Sequence, residues 1–486
     1  MNLRGKNVLI LGMGETGLSM AKWLLRKGAN VRAADSRNVP PCLDALQGIL
    51  PGRGIFAGGF ALEAFAGIDL IAISPGIALA ERLVLQAANQ GIPVVGDVEL
   101  FALALKEKYE QGEGLEFGAQ RPKIVAVTGS NGKTTVTAMV GAMVKKAGWD
   151  TEVAGNISPA ILDALMQRQD SEKLPQAWIL EVSSFQLETT RSLCADAAVV
   201  LNLSEDHFDR YAGMPDYAAA KARIFLTDTG DGNNAFNGVQ VLNREDFLVR
   251  EMAQPGRKQI TFGLDAPVGS SDFGLLRKGE NTWLVQGKMR LMKTSELRVA
   301  GLHNTANALA ALALCRAIGL PFEPLLDALR EFRGLPHRME KVAAFGDVVF
   351  YDDSKGTNVG ATVAALNGMA QRVVLIAGGD GKGQDFSPLA EPVAEHARAV
   401  VLIGRDAEKI AAAIQHHKVP LYRAATMEEA VRKSFTLAWK GDAVLMSPAC
   451  ASFDMFKNYA HRAQAFIAAV KHVETEIPAN VHTPSN

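Results

Sequence analysis

The stretch Ile124 to Thr135, I-V-A-V-T-G-S-N-G-K-T-T, constrains the fold more than any other part of the chain. Ile124 to Val127 predict a buried strand. They run into a turn holding Gly129, Ser130, Asn131 and Gly132, then Lys133, Thr134 and Thr135. An apolar segment at helical spacing follows (Val136, Met139, Val140, Met143, Val144). Strand, glycine turn and helix in that order make a phosphate cradle. The glycines let backbone N–H groups approach phosphate oxygens, the helix N-terminus adds its positive dipole end, Lys133 adds a point charge, and Thr134 can reach Mg²⁺. The strict G-x-x-x-x-G-K-[ST] spacing is not met, because Val127 stands where its first glycine belongs. The flanking strand and helix therefore carry the reading, since G-x-x-G-K-T alone is as often an ordinary turn with a surface lysine.

A chain of 486 residues predicts about three domains, each large enough for its own core. The net charge of −1 gives no bulk attraction to nucleic acid or to an acidic membrane, so neither is expected as a partner. Cys42, Cys194, Cys315 and Cys450 lie far apart without a C-x-x-C pair, which fits a reducing compartment and core packing. The apolar run Val8 to Leu11 is too short for a signal-peptide core. No run reaches the ~18 apolar residues of a membrane span. A cytoplasmic protein is expected.

The first segment opens with a strand, Val8 to Leu11, then Gly12-Met13-Gly14-Glu15-Thr16-Gly17 and an amphipathic helix. A second strand, Val31 to Ala34, ends in Asp35-Ser36-Arg37, about where a dinucleotide fold places its ribose-reading acid. This is a Rossmann fingerprint, but Ser36 and Arg37 suit a phosphate- or uracil-bearing ligand at least as well. A third strand, Leu70 to Ile73, runs into Ser74-Pro75-Gly76. The bland alternative is a glycine turn used only for close helix packing. Residues 106–121 turn polar and glycine-containing, and are expected to form a linker or surface excursion.

In the central segment a strand from Trp178 to Val182 carries Glu181, a carboxylate that calls for a nearby cation if buried. A strand from Ala197 to Leu203 leads into Ser204-Glu205-Asp206-His207-Phe208-Asp209-Arg210-Tyr211, and Lys221 follows in Y-A-A-A-K-A-R. Alone, Lys221 reads as a solvated helix lysine and the cluster as a polar loop. Following successive strands of a phosphate-loop domain, they are candidates for holding Mg²⁺. His303, Asn304 and Asn307 precede a helix expected over Ala308 to Ile318, and exceed what capping needs. Gly334, Pro336, His337 and Arg338 mark a hinge. The last third predicts strands at Val348 to Tyr351, Val373 to Ala377, Ala399 to Ile403 and Ala443 to Met446. Their loops carry Asp353, Lys355, Thr357, Lys382, Ser452 and Phe453 along one rim. The tail from Val473 is expected to be disordered at its end. The fold class is α/β in three domains, 1–105, 122–333 and 334–475.

Together these segments resemble the Mur ligase family of ATP-dependent amide ligases, whose signature T-G-[ST]-N-G-K-T-T matches Thr128 to Thr135. Further markers are L-G-M-G-E-T-G-L-S, A-G-N-I (Ala154 to Ile157), E-V-S-S-F-Q-L, L-N-L-S-E-D-H-F-D-R-Y, G-L-P-H-R, D-S-K-G-T-N, G-G-D-G-K and S-P-A-C-A-S-F-D-M-F-K-N-Y. They run in order across nearly the whole chain, and point within the family to the member that adds D-glutamate to UDP-N-acetylmuramoyl-L-alanine.

The resemblance implies a Rossmann-like UDP-binding domain, a central P-loop ATPase-like domain and a Rossmann-like C-terminal domain that binds D-glutamate and closes on ATP. It implies ATP at Gly129 to Thr135, with Lys133 on the β- and γ-phosphates, and at Asn304, Asn307, Arg338, Asp353 and Lys355. Two Mg²⁺ ions would be held by Thr134 and Glu181, and by His207 and Lys221, the last through a CO₂-derived carbamate. The UDP substrate would meet Gly14, Thr16, Ser36, Arg37, Ser74, Gly76, Asn156 and His207. D-glutamate would meet Thr357, Lys382, Ser452, Phe453 and Tyr459. Lys133, Glu181, His207, Lys221 and Lys382 are the implied catalytic set, and a monomer is expected. Tyr459 departs from the phenylalanine often seen at its place, and Glu15 follows the second glycine where members vary. A sister ligase for another amino acid, an oxidoreductase resting on Gly12, Gly14, Gly17 and Asp35, and a non-catalytic nucleotide switch that needs neither Lys221 nor Lys382 are the alternatives.

Overall fold

The computed structural model describes residues 1–50, 54–110, 121–226, 238–299 and 301–476. Among the described residues the strands form three sheets. The first has five parallel strands in the order Ile55–Ala57, Asn30–Asp35, Asn7–Leu11, Leu70–Ile73 and Val94–Val95. Apolar residues run without a break through Val8 to Leu11 because a parallel strand is covered on both faces. Val8 and Ile10 enter one core while Leu9 and Leu11 enter another on the opposite side. The strand order reverses between Asn7–Leu11 and Leu70–Ile73, so the Gly12 to Gly17 turn and the Ser74 to Gly76 loop open side by side at the sheet's C-terminal edge.

The packing reading of that glycine turn holds at one glycine and not at another. A Cβ on Gly17 would lie 1.9 Å from the Gly12 carbonyl oxygen, so Gly17 serves close helix packing, whereas Gly14 has open space around it. Gly17→Ala is therefore expected to cost about 2 kcal/mol or more. The first thermal unfolding transition should fall by about 10 °C. An unchanged transition by differential scanning calorimetry would contradict the packing role.

The central sheet has nine strands, parallel from Thr151–Gly155 through Ala177–Glu181, Lys123–Thr128, Ala197–Val200, Val239–Asn243 and Gln259–Phe262 to Phe273–Lys278. Antiparallel strands Asn281–Gln286 and Met289–Lys293 complete it. Helices Lys133–Lys146, Leu302–Ala317 and Phe322–Glu331 share one core with it. Helix Asp97–Glu110 of the first unit joins the other: Phe101 sets its ring against Trp178, centroids 5.0 Å apart.

The third sheet orders Glu340–Phe345, Val348–Asp352, Ala443–Met446, Val373–Gly378, Ala397–Ile403 and Leu421–Arg423. Only its first strand is antiparallel, so the loops after Asp352, Met446, Gly378 and Ile403 share one rim as expected.

Several expectations are corrected. Residues 106–110 continue helix Asp97–Glu110 instead of opening a linker, and 111–120 lie outside the described residues. The strand expected to reach Leu203 ends at Val200, and the one expected to reach Val182 ends at Glu181. The helix expected from Ala308 starts at Leu302, with Gly301 at its N-cap. Asn304 and Asn307 are thus inside the helix, past its N-cap. The tail is not such a case: Val473 to Glu476 belong to helix Tyr459–Glu476, and the end of the tail, 477–486, lies outside the described residues. The five strands between Val239 and Lys293 were not expected.

Candidate active site

Strand Lys123–Thr128 lies between Ala177–Glu181 and Ala197–Val200, so the loop after it faces residues ending one neighbour and following the other. The loop needs its glycines. Gly132 caps helix Lys133–Lys146 at φ +84°, and a Cβ there would lie 2.6 Å from Asn307 Oδ1. A Cβ on Gly129 would meet that of Leu201 at 2.9 Å. The Asn131 N–H donates to Asn202 Oδ1 (2.9 Å), and the Ser130 hydroxyl engages the Ser204 carbonyl and Tyr217 hydroxyl, both at 3.1 Å. Lys133 folds back: its Nζ donates to the Gly129 and Ser130 carbonyls, both at 2.9 Å. Burial lowers its pKa, against the opposing pull of Glu181 and Asp206.

Glu181 is buried at its strand's end. Its Oε1 accepts from Asn156 Nδ2 at 2.8 Å, while Oε2 is buried without a hydrogen-bond partner among the described residues. An orphaned carboxylate oxygen beside a phosphate loop fits a cation ligand, since burying it unpaired is costly.

Lys221, on helix Met214–Ala222, is fully buried rather than solvated. Its Nζ donates to the Gly129 carbonyl at 2.9 Å and lies 4.6 Å from the Tyr217 ring centroid. Burial, and next the charge of Lys133, push its pKa well below the usual lysine value, favouring the neutral amine. His207 sits at φ +59° with its ring edge-on to Phe185, centroids 4.7 Å apart. Burial lowers its pKa too, with Lys382, Lys133 and Lys221 acting in the same direction against Asp206. Asp206 was not singled out from sequence. It stands 3.7 Å from Lys382 Nζ and accepts from Asn358 Nδ2 at 3.3 Å, tying the third unit to the second.

A cavity of about 770 Å³ opens between these two units. Asn131, Gly132, Thr135, Asn304, Asn307, Arg338, Asp353 and Lys355 line it, so most of the residues assigned to ATP meet there. Arg338 Nη2 donates to Thr134 Oγ1 at 2.7 Å. Burial raises the Asp353 carboxyl to about 7 despite the Ser447 hydroxyl bond, and lowers Lys355 to about 8 with help from Arg338. Leu201, Phe262, His303 and Tyr351 also line this cavity and were not assigned to it beforehand. Only His303 had stood out, as a polar residue beyond the needs of a cap.

A second cavity, about 650 Å³, lies at the edge of the first sheet. Gly14, Thr16, Ser36, Arg37, Ser74, Gly76 and the central unit's Asn156 line it, and His207 does not. Asp35 is no free ribose reader: it accepts from the Met13 N–H (2.7 Å) and from Arg37 Nε and Nη2 (2.9 and 2.6 Å). Burial alone would raise its pKa, but those bonds hold it at about 2. Thr357, Lys382, Ser452, Phe453 and Tyr459 line neither cavity. Tyr459 lies under Lys355, its ring centroid 3.9 Å from Nζ, while Lys382 faces Asp206 and Phe453 is exposed.

Comparison with known proteins agrees with this layout. Three family models match in succession: a MurD-like N-terminal domain of Mur ligases over residues 6–96, the Mur ligase middle domain over 127–315, and the Mur ligase glutamate ligase domain over 337–450. A UDP-N-acetylmuramoylalanine--D-glutamate ligase of Nitrosospira multiformis is 67% identical over 474 residues, covering 98% of this chain and 97% of its own. A protein of the same name from Nitrosomonas europaea is 61% identical over 483 residues, covering 99% of this chain and 100% of its own. Among solved structures, a UDP-N-acetylmuramate-alanine ligase from Thermotoga maritima superposes with a TM-score of 0.57 at 19% identity. That alignment covers 97% of this chain and 100% of the other, and speaks to the fold alone.

Proposed function

This chain belongs to the Mur ligase family, and from that membership we propose how its residues divide the work of joining D-glutamate to UDP-N-acetylmuramoyl-L-alanine. The reaction is an ATP-dependent amide ligation of peptidoglycan precursor assembly. A carboxylate is a poor electrophile, so ATP first converts the substrate's alanyl carboxylate to an acyl phosphate, releasing ADP. The amine of D-glutamate then attacks the carbonyl carbon, the amide forms, and phosphate leaves with the electron pair of the broken C–O bond.

One observation carries the assignment. Asn156 lines the second cavity and grips Glu181, while Gly132 and Thr135 of the phosphate loop line the first. With the UDP substrate in one cavity and ATP in the other, the two would approach Glu181 and the phosphate loop from opposite sides, and the charge of Glu181 already acts on Lys133 of that loop. There Lys133 exchanges the Gly129 and Ser130 carbonyls for the β- and γ-phosphates, and Arg338, Asn304 and Asn307 hold the nucleotide. Thr134 and the free oxygen of Glu181 would hold one Mg²⁺, and His207 with Lys221 the second. Bound Mg²⁺ offsets the repulsion between two polyanions. The neutral Lys221 amine can add its lone pair to the carbon of CO₂ and release a proton, giving the carbamate oxygens that a hard cation accepts. Lys382 answers the side-chain carboxylate of D-glutamate, with Thr357, Ser452, Phe453 and Tyr459 around it. The working units are 1–105, 122–333 and 334–475, in a cytoplasmic monomer whose third unit closes on ATP.

Phosphate release from ATP tests this reading, with Mg²⁺, UDP-N-acetylmuramoyl-L-alanine and each candidate amino acid added separately. Release with D-glutamate alone, matched one-for-one by amide, is expected. Release with a different amino acid would move the protein to a sister activity, and none at all would refute the ligase assignment.

Lys355 predicts a pH dependence. Its pKa of about 8 keeps the ammonium below that pH and loses it above, so ATP affinity falls as pH rises through 8. Phosphates beside it pull the pKa back up, so ATP binding just above pH 8 takes up a proton. Calorimetry in buffers of different ionisation enthalpy reads that uptake, and Lys355→Arg should abolish it. Equal heats in all buffers for the wild-type protein would contradict the assignment.

A further inference from the structure

Arg210 lies on the turn that presents His207, its backbone N–H donating to the His207 carbonyl at 2.9 Å. Its side chain reaches the first unit. Nη1 donates to the Pro75 carbonyl at 2.9 Å, and Pro75 stands between Ser74 and Gly76 in the loop that lines the second cavity. Nη2 pairs with Glu188 at 2.5 Å, in surroundings that leave the two side chains only 12% and 14% exposed. The guanidinium also lies 4.4 Å from the ring centroid of Phe185, the ring that meets His207 edge-on. His207 itself holds φ +59°, a conformation that a residue other than glycine keeps only where its surroundings fix it.

One planar side chain thus joins three things: a backbone carbonyl in the nucleotide loop, a half-buried carboxylate, and the aromatic ring behind His207. Its fork geometry suits that role, since a lysine cannot make the carbonyl and carboxylate bonds and stack at the same time. Arg210 is not a ligand contact, because it does not line the substrate cavity, and the void beside it is too small to admit one. Nor is it needed to hold the two units together. Phe101 against Trp178, and Glu99 accepting from the Arg191 and Ser192 N–H groups at 2.6 and 2.9 Å, do so elsewhere.

We propose that Arg210 is a positioning residue for the nucleotide-sugar substrate, coupling the Ser74 to Gly76 loop that receives the nucleotide to the turn that places His207. The inference rests on the functional reading above. When the loop closes on a uridine diphosphate, the Pro75 carbonyl is held, and through Arg210 and Phe185 so is the His207 ring. ATP approaches from the other cavity and should not sense the link.

Steady-state kinetics of Arg210→Met and Arg210→Lys separate this from a structural role. Arg210→Met is expected to raise KM for UDP-N-acetylmuramoyl-L-alanine and to lower kcat, each by about tenfold, with KM for ATP changed less than about twofold. Arg210→Lys keeps the charge beside Glu188 and should fall between Met and wild type, about threefold on each. It also serves as the folded control if the methionine variant is unstable. A UDP-substrate KM that does not move, or KM values for UDP substrate and ATP that rise together, would overturn the coupling. A wild-type protein that neither binds nor turns over the UDP substrate would instead bring down the functional reading, a result that no Arg210 variant can mimic.

Discussion

Lys221→Ala is expected to lose about 10³-fold or more in phosphate release, although Lys221 stands behind the phosphate loop and lines neither cavity. A lysine in full burial is costly to keep charged, and here its ammonium would also face Lys133. The shift of its pKa well below the usual value removes that cost and leaves an amine able to react with CO₂. The carbamate reading makes a distinction that a purely structural lysine does not. Alanine removes the attachment point, so added bicarbonate cannot restore activity, whereas a small carboxylate such as acetate can enter the vacated volume and return part of it. Lys221→Arg is expected to be as inactive as alanine, because a guanidinium stays charged and forms no carbamate. Activity near wild type in either variant would refute the role. Failure of acetate to rescue an otherwise folded Lys221→Ala protein would favour a positional role through the Gly129 carbonyl.

Glu181→Gln should be nearly as damaging, about 10²- to 10³-fold in kcat, for a different reason. The amide keeps an oxygen that can accept from Asn156, so the wall of the second cavity is preserved. It loses the anionic oxygen that has no hydrogen-bond partner among the described residues. The dissociation constant for UDP-N-acetylmuramoyl-L-alanine, read by calorimetry without nucleotide, should therefore change by less than about twofold. The Mg²⁺ concentration needed for half-maximal activity should rise. If UDP-substrate binding weakens as much as turnover, Glu181 shapes the cavity and is not a cation ligand.

What could be read from sequence follows from how local each signal is. Val8 to Leu11 and Ile124 to Val127 announce buried parallel strands because both faces of such a strand are apolar. The glycines after them mark turns at the sheet edge. Glu181 stood out for the same local reason, a charge at the end of an apolar run. Lys221 did not: M-P-D-Y-A-A-A-K-A reads as a solvated helix, and its burial depends on Gly129, Thr128 and Tyr217 closing around it. Asn304 and Asn307 were misplaced by position, since the helix starts earlier, at a glycine with φ +92°. The strands from Phe273 to Lys293 pass unnoticed because their apolar residues cluster, as in Leu275-Leu276 and Trp283-Leu284-Val285, instead of alternating. Their signal was the turns, where Gly279 and Gly287 take φ of +62° and +53° in two-residue loops. Arg37 looked free for a ligand, and only the structure ties it to Asp35 two residues back.

The Asn156–Glu181 hydrogen bond joins the wall of the second cavity to a carboxylate whose charge reaches Lys133 of the phosphate loop. If the two substrates bind as proposed, both reach toward this pair, and an inhibitor carrying a uridine end and an adenine end on one tether would bind its second half as an intramolecular event. With a linker matched to the span, the effective concentration of that half is on the order of millimolar. Two individually weak fragments would then act as one strong compound, and one that competes with both substrates at once.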